Sequence, residues 1–102
     1  MKQSEVANRL GSEWDRPDGV FARLRVGEFN AAGATRVLSL LASLELGEAE
    51  ALERDLARQL WYLPLFCQWQ GERVAEERGD VDALEAFITK VTNALEEKIG
   101  VP

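Results

Sequence analysis

The sequence predicts an all-α fold, a compact helical bundle of four longer helices with one or two short N-terminal helices. Three observations carry this. Apolar residues recur every three or four positions through four long stretches, the period of a helix with one buried face. Gly11, Pro17-Asp18-Gly19, Gly27, Gly47, Pro64, Gly79 and Gly100 cut the chain into helix-sized pieces. Capping residues stand at the heads of several pieces. The 102 residues suit one domain spanning 1–102. An apolar share of 46% is that of a globular chain.

The first piece, Ser4 to Leu10, opens on a capping serine and stops at Gly11, with Val6 and Leu10 four apart. Glu13 to Pro17 then reads as a turn or loop. Val20, Phe21 and Leu24 have helical spacing, with Asp18 as N-cap and Gly27 past the end. The alternation of Ala22, Leu24 and Val26 with Arg23 and Arg25 would also suit a strand. A strand without a partner leaves its backbone groups unpaired, which favours helix.

Asn30 caps a helix to about residue 45, with Ala34, Val37, Leu38, Leu41 and Leu44 on one face. The next helix, near 48–62, opens at Glu48, whose charge suits the positive end of the dipole, and its stripe is Ala49, Leu52, Leu56, Leu60 and Leu63. Pro64 cannot donate to the Leu60 carbonyl, so it kinks this helix or begins another over 65–78. In that helix Phe66 and Trp69 mark one face, and Cys67, Gln70 and Val74 another. The last helix, 81–99, is capped by Asp80 or Asp82, carries the stripe Leu84, Phe87, Ile88, Val91, Leu95 and Ile99, and closes at Gly100. The expected core is Leu38, Leu41, Leu52, Leu56, Phe66, Phe87, Val91 and Leu95.

Composition narrows the function classes. The first residues lack a signal peptide's apolar stretch. The longest apolar run, Leu60 to Cys67, contains Pro64 and falls well short of the roughly 20 residues of a bilayer span. A single cysteine suits a reducing compartment. A cytoplasmic protein that does not engage the membrane is expected. Residues 1–46 carry six acids and six bases, whereas residues 47–102 carry twelve acids and six bases, the whole net charge of −6. Nucleic acid calls for clustered Lys and Arg, so it is not an expected partner. A basic protein surface is, because opposite fields steer association.

The segment Leu60 to Trp69 holds two of the three tryptophans and the only tyrosine and cysteine. Four aromatics on one segment cannot all point inward. Phe66 is expected in the core, with one of Trp61, Tyr62 or Trp69 partly exposed and Trp69 favoured. Cys67 has no histidine to act as its base and reads as a small buried hydrophobe. No serine lies in a Gly-x-Ser-x-Gly context, and no glycine-rich phosphate cradle or Cys/His cluster is present. Asp80-Val81-Asp82 with Glu85 lacks the glycine and frame of an EF-hand loop.

Glu50-x-x-Glu53 is followed by Glu77-x-x-Asp80, and two such pairs on facing helices can hold magnesium against a nucleotide's phosphates. In these four positions the chain resembles the MazG-like nucleoside triphosphate pyrophosphatases, which use an E-x-x-E and a later E-x-x-D. The resemblance implies a magnesium-dependent hydrolase with Glu50, Glu53, Glu77 and Asp80 as ligands. Gly79 lies inside the second pair, and Asp80 has a simpler use as a helix cap.

The main expectation is a non-enzymatic interaction protein without cofactor. It would bind a basic partner through Glu72, Glu76, Glu77, Asp80 and Asp82 beside an exposed Trp69. An immunity protein that blocks a bacterial toxin is one instance, by analogy of size and charge. The alternatives are the magnesium-dependent hydrolase and a homo-oligomeric structural subunit.

Overall fold

The computed structural model describes residues 1–102, and the protein is all-α with no strand. Six helices occur, α1 Gln3–Asp15, α2 Val20–Leu24, α3 Ala31–Ser43, α4 Arg54–Trp69, α5 Gly71–Glu76 and α6 Val81–Ile99. The four long ones are α1, α3, α4 and α6, while α2 and α5 are short.

α1 is no short N-terminal piece. It passes through Gly11 to Asp15 because its inward face, Val6 and Leu10, continues to Glu13 and the half-buried Trp14. A glycine inside a helix costs only about 1 kcal/mol against alanine, less than this packing returns. α2 is helical, and it buries Val20, Phe21 and Leu24 completely. Asn30 caps α3 as expected, its side chain accepting from the Gly33 N–H at 3.2 Å.

The helix expected from Glu48 begins instead at Arg54. Residues 44–53 form a loop pinned at three points. Leu44 is buried, a turn joins Gly47 to Glu50, and Gln3 holds the last residues extended. The Gln3 amide donates to the Ala51 carbonyl at 2.9 Å and accepts from the Glu53 N–H at 2.7 Å. Leu52 shares the period of Leu56 and Leu60, yet it packs half-buried from the loop. α4 continues through Pro64, so the expected division near residue 64 falls at Gln70. α6 follows the sequence reading closely. Asp80 accepts from the Ala83 N–H at 2.9 Å, and Gly100, with φ of 91°, ends the helix.

The long helices form a four-cornered bundle. α1 packs on α3 and α4, and α6 packs on the same two. Gln3 beside Glu53 and Trp14 beside Gln59 and Phe66 set α1 parallel to α4. Phe29 against Phe87 and Lys98 on the carbonyls of Ala42 and Leu44 set α3 parallel to α6. Loop 44–53 therefore crosses between diagonal corners at the lower end. α2 and α5 close the upper end, where Gly27 meets Glu77 and Gly79. Nineteen buried apolar residues make one core. Leu41, Leu56, Phe66, Phe87 and Val91 belong to it, whereas Leu38, Leu52 and Leu95 lie half-buried at its margin. No helix is long and apolar enough to cross a membrane.

Candidate functional site

The outer face of α4 carries the most unusual surface of the molecule. Leu56, Leu60, Leu63, Phe66 and Cys67 face the core. Trp61 and Trp69 lie on the opposite side, 60% and 62% exposed. Sequence reasoning expected one of the rings there to reach water, and two tryptophans do. Tyr62 is half-buried between them, its ring centroid 5.7 Å from Trp61 and 5.9 Å from Trp69.

This pair of tryptophans is anchored to the core by further rings. Tyr62 stacks against Trp14 at 5.9 Å, and Trp14 stacks on Phe21 at 4.5 Å and meets the edge of Phe66 at 4.5 Å. The Trp14 indole N–H donates to Gln59 Oε1 at 3.1 Å, and the Arg25 guanidinium lies 5.1 Å from its ring centroid. Packed rings lose little further freedom when something settles on them, which lowers the cost of association. Between α1 and α4, Trp14, Gln59, Trp61 and Tyr62 also wall an open groove of about 1000 Å³.

The acidic residues singled out by charge meet different fates. Glu72 and Glu76 stand exposed on α5, three and seven residues beyond Trp69. Asp82 is exposed in the first turn of α6. Asp80 is spent on capping α6. Glu77 lies across Gly27, so closely that a Cβ at Gly27 would stand 2.5 Å from Glu77 Cγ. The structure thus leaves Trp69, Glu72 and Glu76 exposed and gives Glu77 and Asp80 local work. All six ion pairs of the protein fall at or before Arg58, so none of these carboxylates touches a cation of its own chain.

The two acidic pairs of the hydrolase reading do not meet. Glu53 precedes α4 at the lower end, and Glu77 and Asp80 lie at the upper end. The 16 residues of α4 hold them apart, a helix of about 24 Å. Glu50 is turned to the Gly47 N–H, and no three His, Cys, Asp or Glu residues converge within metal-holding distance. Cys67 is fully buried, and burial pushes its thiol up to about 12, far from a nucleophile's range.

Sequence reasoning did not find Glu13, which is 97% removed from solvent and yet fully bonded. It accepts from the Val20 N–H at 2.9 Å and from Arg36 Nε and Nη2 at 2.8 and 3.0 Å. The Arg36 guanidinium is held above its usual range by that bond to Glu13. Arg36 also donates to the Asp18 carbonyl at 3.0 Å, so one carboxylate ties α1, α2 and α3 together. Its role is structural. Comparison with known protein families, curated proteins and solved structures finds no match to this chain.

Proposed function

We propose that the chain is a protein-binding module whose docking face is the outer side of α4 and α5, with Trp61 and Trp69 as anchors. Glu72 and Glu76 address basic side chains of the partner. One observation carries the reading, two tryptophans each about 60% exposed on one helix and locked to the core through Tyr62 and Trp14. Tryptophan is the residue most enriched where binding energy concentrates, and rim charges steer the encounter. The carboxylates beside it have no cation in their own chain to satisfy them. An immunity protein that masks a basic toxin is a concrete instance of such a module. The magnesium-dependent alternative draws no support from the separated acidic pairs.

The test is capture of a partner from native cell extract at low and at high salt. Glu72→Lys with Glu76→Lys should abolish most of the capture, and Trp69→Ala should weaken it about tenfold or more. Salt should act in parallel, since exposed charges are screened over about 8 Å at physiological ionic strength. Capture indifferent to salt and to all three substitutions would show that this face is only a solvated surface.

A further inference from the structure

The groove between α1 and α4 owes its depth to a missing side chain. Gly11 stands in the interior of α1, where only proline is a poorer residue than glycine. Neither packing nor backbone conformation demands it. A Cβ at Gly11 would meet only Gln59 Nε2, at 3.8 Å, an ordinary contact, and its φ is not among the positive ones. Alanine would therefore fit and hold the helix better. What the glycine does provide is room, because a side chain there would stand in the groove.

The walls combine rings with flat polar groups. Four of the fourteen lining residues are apolar, namely Ala7 and the rings of Trp14, Trp61 and Tyr62, so the apolar surface is almost wholly aromatic. Asn8 and Asp15 stand exposed on the α1 wall, three residues before Gly11 and four after it, and no bond within the chain uses either side chain. Gln59 gives its Oε1 to the Trp14 indole, which leaves its Nε2 group, above Gly11, as a donor. Charge is nearly balanced. Asp15, Glu53 and Asp55 face Arg25 and Arg58, and Arg58 is already bound to Asp55 at 2.7 Å. With acids in slight excess the groove disfavours a phosphate. An acyl chain would strip water from the polar walls and return no hydrogen bonds.

We infer that this groove binds a neutral oligosaccharide. A pyranose ring has an apolar C–H face and a rim of hydroxyls that both donate and accept. The negative face of a tryptophan ring attracts C–H groups, and a planar amide or carboxylate can meet two neighbouring hydroxyls. Trp61, 60% exposed at the lip, is the stacking platform. Asn8, Asp15 and Gln59 take the hydroxyls, and Gly11 lets the sugar settle between the helices. The volume of about 1000 Å³ is at the upper end for small-molecule sites and suits more than one sugar unit. Of the residues in the protein-docking face, the groove uses Trp61 alone.

Titration of the isotope-labelled full chain with cellotriose, maltotriose, chitotriose and mannotriose tests this, followed by heteronuclear NMR. At least one of these sugars should shift the Gly11 amide, the Gln59 side-chain amide and the Trp61 indole together, with a dissociation constant between about 10 μM and 10 mM. Trp61→Ala should raise that constant about tenfold or more. Gly11→Ala separates a glycine kept for the ligand from one kept for the fold. It should raise the melting temperature and yet weaken the sugar by about threefold or more. No shift with any of these sugars at about 10 mM overturns the inference. A Gly11→Ala chain that binds as tightly as the wild type also overturns it, as does inorganic phosphate moving the same signals at lower concentration than every sugar. Capture of a protein partner through Trp69 and Glu72, which lie outside the groove, is read independently of these outcomes.

Discussion

At the scale of single residues, Glu13 decides more of the fold than any other polar side chain. Its carboxylate supplies the acceptor that the first N–H of α2 needs, and Arg36 supplies its counter-charge. Glu13→Ala leaves the buried Val20 N–H without its partner and strips Arg36 of its anion, and should cost about 2–3 kcal/mol in a urea titration. Arg36→Ala should cost at least as much, because it leaves the buried Glu13 carboxylate without its counter-charge. A much smaller cost for Arg36→Ala would mean that the capping bond to Val20, and not the ion pair, carries the effect. None of this was legible in the sequence. A glutamate between Gly11 and Pro17 reads as a turn residue, and nothing local announces that Val20 and Arg36 will arrive beside it. Sequence reasoning names Trp61 with Tyr62 and Trp69 as a ring that could reach water. A tryptophan in an apolar run has the composition of core whichever way it points, so the exposure of Trp61 alongside Trp69 is not singled out. The exposure of Glu72 and Glu76 was legible, since charged side chains without a partner stay in water.

At the scale of elements, the helices read correctly are those whose ends are set by their own residues. α3 begins at Asn30 and α6 at Asp80, each a side chain that bonds an N–H three residues on. The boundaries that differ are set from a distance. Gln3 holds residues 51–53 extended, so α4 starts six residues later than Glu48 suggests. α4 survives Pro64 because Leu63, Phe66 and Cys67 on either side of it are buried. The proline still deprives the Leu60 carbonyl of its helical donor. Asp80→Ala should therefore cost about 1 kcal/mol through the lost cap. Pro64→Ala should stabilise the protein, by about 1–3 kcal/mol less the extra freedom the unfolded chain gains. Paired urea melts measure both, and a destabilised Pro64→Ala would mean that the ring's packing outweighs the missing bond.

At the scale of the molecule, one core of nineteen residues serves all six helices, and depth within it predicts the cost of truncation. Phe87 is 2% exposed and touches Phe29, whereas Leu95 is half-buried near the lower end. The sequence puts both on one stripe and treats them alike. The bundle separates them, because Phe87 sits within the core and Leu95 packs at its margin. Phe87→Ala should cost about 3–5 kcal/mol and Leu95→Ala about 1–2 kcal/mol. Comparable losses would mean that the lower end is as closely packed as the middle.

The parallel seating of α1 beside α4 bears on how the chain is made. Trp14 finds Gln59, Tyr62 and Phe66, and Gln3 finds Glu53, only after half the protein has been synthesised. At about 5–20 residues per second, a nascent chain carries α1, α2 and α3 for about 1–5 seconds before α4 is complete. Through that interval the Glu13–Arg36 bridge can already join the three early helices, while the sides of Val6, Leu10 and Phe21 that will meet α4 remain bare. The newborn chain is therefore most vulnerable to aggregation midway through translation, at the diagonal crossing, and it is safest once α6 has closed over α3 and α4.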